Sequence, residues 1–79
     1  MLKRLIGESR AFKEARIQIE VAIKYYHFHT KTDVQNDQHE ARGYVALAHR
    51  VYKEYAKGHP TQYRRQEILK RRLEEGFLP

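Results

Sequence analysis

The sequence has no cysteine and no tryptophan, only two prolines and four glycines, and no long apolar run. Without cysteine there can be no disulfide staple, no thiolate nucleophile and no cysteine-bound zinc. The missing thiols fit a reducing compartment, and an intracellular soluble location is the expectation. No apolar stretch approaches the roughly 20 residues that cross a bilayer, so no membrane span is expected. The N-terminal Met-Leu-Lys-Arg-Leu-Ile-Gly is too poor in apolar residues for a secretory signal, and Glu8 and Glu14 argue against a transit peptide.

What is present is a compact, charge-rich composition of 79 residues with 16 Lys and Arg against 10 Asp and Glu, a formal charge of +6. A chain of this length makes one domain, 1–79, and leaves much of its surface exposed. Small scaffolds without disulfides commonly oligomerise or dock on something larger. The ends are basic and the middle is neutral: residues 1–32 carry 7 basic and 3 acidic groups, 33–59 carry 4 and 4, and 60–79 carry 5 and 3. That balance suits an anionic partner without choosing among nucleic acid, an acidic protein surface and lipid headgroups.

Residues 9–30 hold most of the large apolar side chains with no Gly, Pro or Asn among them. At helical spacing Phe12, Ala15, Ile19, Ala22, Ile23 and Tyr26 form one stripe, while Ile17, Val21 and Phe28 sit on the opposite side among charges. At period two, Ile17, Ile19, Val21, Ile23 and Tyr25 alternate with Gln18, Glu20, Ala22 and Lys24, which is also a strand pattern. Helix is the preferred reading. The segment 9–16 is rich in helix formers, no turn signal interrupts it, and no other segment offers a partner strand, without which backbone groups would go unpaired.

Residues 31–38 crowd polar and turn-forming types, and Asp37 with Glu40 has capping-box spacing. Residues 37–57 then place Ala41, Tyr44, Val45, Ala48, Val51, Tyr52 and Tyr55 on one stripe, with Ala41 and Ala48 allowing close approach of a neighbour. Gly58-His59-Pro60 ends that helix and starts another. A third helix over 61–75 has Tyr63, Ile68, Leu69 and Leu73 as its apolar set, and Gly76 ends it. The expected fold is an all-α three-helix unit, with helices about 9–30, 37–57 and 61–75 and a short arm 1–8, oligomeric or docked on a partner.

Candidate chemistry is sparse. The five histidines include no pair one helical turn apart, so no metal site is expected. Arg42-x6-His49 resembles the Arg-x4–6-His spacing of HEPN-type ribonucleases, a fold that normally needs a longer chain; an exposed Arg and a boundary His on an ordinary helix are expected instead. Helix, short turn and basic helix suggest a helix-turn-helix, but Glu54 and Arg64 occupy positions where that motif wants a small and an apolar residue. No serine triad, phosphate-cradling glycine loop or paired carboxylates stand out, so neither catalysis nor a cofactor is expected.

Two docking surfaces remain. Ile17, Val21, Phe28 and Tyr25 would form an apolar contact face rimmed by charge, for a protein partner or a second copy. Arg64, Arg65, Lys70, Arg71 and Arg72 would offer a salt-sensitive nucleic-acid contact, set against internal pairing of Arg71 with Glu67, Glu74 and Glu75.

Overall fold

A computed structural model describes the backbone of residues 2–31 and 35–79, and the side chains of residues 10–31 and 39–79. Three α-helices account for nearly all of it: α1 (Leu2–Lys31), α2 (Gln35–Gly58) and α3 (Tyr63–Gly76). Among the described residues there is no strand. The helical reading of residues 17–25 therefore holds.

The pairing of side chains sets the topology. Tyr25 stacks on Tyr44 near one end of α1 and Phe12 meets Tyr55 near the other, so α2 runs antiparallel to α1. Arg65 lies over Phe12, Arg72 binds Glu20, and His27 reaches Gly76, so α3 runs parallel to α1.

The core is the stripe expected on α1 locked against α2 and α3. Ala15, Ile19, Ala22 and Ile23 are buried with Ala48, Tyr55, Leu69 and Leu73, and Phe12, Tyr44, Leu47, Val51, Tyr52 and Phe77 pack around them. Ala15, Ala22, Ala41 and Ala48 are all buried. Small side chains there let α1 and α2 approach, while Ile19 and Leu69 supply the bulk.

The boundaries differ from the sequence expectation in three places. Helix α1 begins at Leu2, taking in Ser9 and the segment set apart as an arm. Residues 2–8 are mostly strong helix formers, and one internal Gly7 costs only about 1 kcal/mol of propensity. Backbone helix in α2 begins at Gln35, and the Asp37 side chain of the expected capping box lies outside the described residues.

The third difference is at Pro60. It does not open α3; it sits second in a turn closed by the Gln62 amide donating to the His59 carbonyl at 3.2 Å. Proline's fixed φ suits that position. Gln62 then precedes α3 without capping it, and its side-chain oxygen accepts from the Tyr55 hydroxyl at 2.6 Å. The Gln66 amide side chain donates to the His59 carbonyl at 2.6 Å, so the α2–α3 turn is tied from both sides.

On α3 the buried set is Leu69, Leu73 and Gly76, at i, i+4 and i+7. Tyr63 and Ile68, expected on the same face, are 73% and 48% exposed. Gly76 ends α3 as expected and is also buried: a Cβ there would overlap the Ile23 Cδ1 methyl and lie 2.9 Å from Cγ1. At the C-terminus Phe77 packs edge-on against Tyr26 at 4.9 Å, while Leu78 stays exposed.

Candidate functional site: the outer face of helix α1 and the groove beside it

With about 100° between successive helical residues, Ile17, Val21 and Phe28 project within about 40° of one another, along roughly 16 Å of helix. None of them is covered: Ile17 is 44%, Val21 45% and Phe28 60% exposed. Tyr25, at the edge facing α2, is 47% exposed. Its ring stacks on Tyr44 at 5.5 Å, and His29 stacks on Tyr44 at the same 5.5 Å. The imidazole of His29 lies 3.4 Å from a Glu40 carboxylate oxygen. This stack holds Tyr25 in place while leaving half of it to solvent. The four residues expected to form a contact face therefore lie exposed along one side of α1. Around them Arg10, Lys13, Lys24 and Lys31 are exposed, with Glu14 as the acidic neighbour.

Beside this ridge α1 and α3 enclose an open groove of about 690 Å³, whose lining includes Arg16, Glu20, Ile68, Arg71 and Arg72. A two-point bridge spans it. Arg72 Nε and Nη2 donate to the two Glu20 oxygens, the second at 3.0 Å. The fork geometry matches guanidinium to carboxylate. The Arg72 guanidinium is held above its usual pKa chiefly by that hydrogen bond, against a smaller opposing effect of burial, with added attraction from the Glu20 and Glu75 charges.

The five basic residues of α3 do not form one face. Arg72 is bound to Glu20. Arg65 donates to Gln62 at 3.3 Å and lies 5.7 Å from the centre of the Phe12 ring. Lys70 projects about 160° from Arg72 at helical spacing, on the far flank. Arg64 and Arg71 remain together on the outer ridge with Ile68 between them, all exposed. Among the described residues Arg71 makes no ion pair within 4 Å with Glu67, Glu74 or Glu75, so the expected internal pairing is not formed there.

Three of the five histidines, His27, His29 and His59, make contacts within the fold. His27 Nε2 is 2.6 Å from the Gly76 carbonyl, and His59 stacks on Tyr55 at 4.2 Å with Nδ1 2.9 Å from the Tyr55 carbonyl. Among the described residues no group of three His, Asp or Glu side chains is placed to hold a metal. Arg42 and His49 are both exposed on α2. No helix, among the described residues, is long and apolar enough to cross a membrane.

Sequence reasoning missed the groove. Its walls lie on helices that only the parallel packing of α1 and α3 brings together, and Glu20 and Arg72 are 52 residues apart. The one available signal was that Ile68 falls at the position of the helical wheel shared by Arg64 and Arg71. No family model matches the chain, and no match is found among curated proteins or solved structures.

Proposed function

We propose that this is a non-catalytic docking protein, a small basic helical unit that acts by protein–protein contact as an assembly subunit, adaptor or inhibitor. The observation that carries the reading is the aligned exposure of Ile17, Val21, Tyr25 and Phe28 on one ridge of a helix whose opposite ridge already forms the core. Contiguous apolar patches rimmed by charge are characteristic of contact surfaces. Nucleic-acid binding by α3 is the second reading, favoured by the exposure of Arg64, Lys70 and Arg71. It has less support because Arg65 and Arg72 are engaged within the fold.

The test compares wild type with Ile17→Ala/Val21→Ala and Ile17→Asp/Val21→Asp. Affinity purification from the source cells identifies candidate partners, and each is then titrated against the protein in purified form. Under the docking reading a defined partner binds wild type at high salt and is lost with both double variants. A partner indifferent to both variants, or the absence of any that binds in purified form, refutes the reading.

A further inference from the structure

We infer that the outer face of α1 docks on the same face of a second copy of this chain, with the two α1 helices antiparallel about a two-fold axis at the level of Ile19. The inference rests on the docking reading and names its partner. What carries it is the order of residue types along the face.

Arg10, Glu14, Ile17, Val21, Lys24 and Phe28 follow one another at spacings of 4, 3, 4, 3 and 4, and all six are exposed. That is the rhythm of a coiled-coil seam. At about 100° per residue they project within about 80° of one another and drift by about 20° every seven residues, so a second helix follows them when the two cross at about 20°. The buried Ala15, Ile19, Ala22 and Ile23 project about 120–180° from the middle of this line, which leaves α2 and α3 on the far side of α1.

The charges decide which helix fits. In an antiparallel pair, residues equally distant from the axis and on opposite sides of it face each other. Ile17 then meets the partner's Val21, Glu14 meets the partner's Lys24, and Arg10 meets the partner's Phe28, each contact occurring twice. Two apolar layers lie at the centre, an opposite-charge layer closes either end of them, and a guanidinium beside an aromatic ring lies beyond. A two-fold contact needs a surface that complements itself, and this order of residues does. A parallel pair would instead set Glu14 against the partner's Glu14 and Lys24 against the partner's Lys24, and like charges so opposed disfavour it. Phosphates of a nucleic acid would meet Glu14 within the same line and leave Ile17 and Val21 uncovered.

Within one chain Glu14 and Lys24 are about 15 Å apart along α1, too far to pair with each other. Among the described residues neither has an ion-pair partner. Charged residues in a seam fix register and direction at a cost in affinity, so the dimer is a reversible one.

Sedimentation equilibrium of the full chain between about 1 µM and about 500 µM tests the inference. Wild type should pass from monomer to dimer across that range, and Ile17→Asp/Val21→Asp should remain monomeric. Glu14→Lys and Lys24→Glu should each raise the dissociation constant at least about tenfold, because each turns both opposite-charge layers into like-charge ones. Glu14→Lys/Lys24→Glu restores opposite charges in both layers and should return the constant to within about threefold of wild type. An equimolar mixture of the two single variants should recover dimers that neither forms alone. All four positions are exposed, and circular dichroism checks that each variant remains folded.

A wild type that stays monomeric throughout, whether or not it binds an oligonucleotide or anionic vesicles, overturns the inference. So does a dimer indifferent to Ile17→Asp/Val21→Asp, a dissociation constant unmoved by the single reversals, or a double reversal that recovers nothing. The docking reading fails separately: a monomeric wild type that loses a foreign protein partner with the Ile17/Val21 variants overturns the second copy and keeps that reading.

Discussion

Replacing Gly76 by alanine should destabilise the protein, although the same exchange elsewhere in its helices should not. In a helix alanine is favoured over glycine by about 1 kcal/mol. At 76 the added Cβ would overlap Ile23 Cδ1 and stand 2.9 Å from Cγ1 and 3.5 Å from Cγ2. Ile23 is 5% exposed, so its side chain has little room to retreat. Overpacking of this kind costs about 1–3 kcal/mol, which at least offsets the propensity gain and leaves a net loss of up to about 2 kcal/mol. Gly43 and Gly58 are the controls, since a Cβ at either meets nothing within 4 Å. Their alanine variants should be neutral or up to about 1 kcal/mol more stable. Urea denaturation followed by helical circular dichroism measures all three. Ile23→Val, which deletes the nearest methyl, should cost about 0.5–1.5 kcal/mol alone and less than that in the Gly76→Ala background. A Gly76→Ala protein as stable as the Gly43→Ala one, or additive behaviour with Ile23→Val, would refute the close packing of α3 on α1.

Two residues apart on α1, Ile17→Ala and Ile19→Ala should separate the two faces. Ile19 has no exposure, and its truncation should cost about 2–5 kcal/mol, whereas the half-exposed Ile17 should cost less than about 1 kcal/mol; comparable losses in urea melts would contradict the assignment. Glu20→Gln should cost no more than about 1 kcal/mol, because both partners of the Arg72 pair are about 40% exposed to solvent and its screening; a larger loss in the same melts would mean the bridge is an anchor of the fold. On the Arg72 side the sign is that of a cation whose folded pKa is raised: its contribution is complete below the unfolded pKa and is lost only as pH rises through the folded one. Both lie in the strongly alkaline range, so stability measured between about pH 7 and pH 10 should not fall through loss of the Arg72 charge.

The period-two pattern of residues 17–25, which invites a strand, has a helical explanation. Alternate residues on a helix are about 200° apart, so an unbroken alternation sends Ile19 and Ile23 inward and Ile17, Val21 and Tyr25 outward. Exposure follows that division. Periodicity thus made the helices, the α1–α2 interface and the outer face of α1 legible. It did not reveal how α3 sits. Helix α3 is short, with Leu69 and Leu73 alone among its large side chains fully buried, and Tyr63 and Ile68 looked like equal candidates for the core. The burial of Gly76 decides the register, because it brings the end of α3 directly onto Ile23. A glycine that ends a helix and a glycine that admits a neighbour look the same in one sequence. The Glu20–Arg72 bridge depends on that register and was hidden with it.

The two long helices of this chain treat their outward positions differently, and the difference bears on function. Outward on α2 are Arg42, Gly43, Ala46, His49, Arg50, Lys53 and Lys57, residues suited to solvent. Outward on α1, Ile17, Val21 and Phe28 stand among Arg10, Lys13, Glu14 and Lys24. Ile and Val are weaker helix formers than Ala, Glu or Lys because branching at Cβ restricts χ1, so α1 gives up local stability by carrying them. Burial inside the folded chain compensates Ile19 and Ile23 for the same handicap, whereas Ile17 and Val21 gain only partial cover. Under the proposed docking function, the missing compensation comes from the partner.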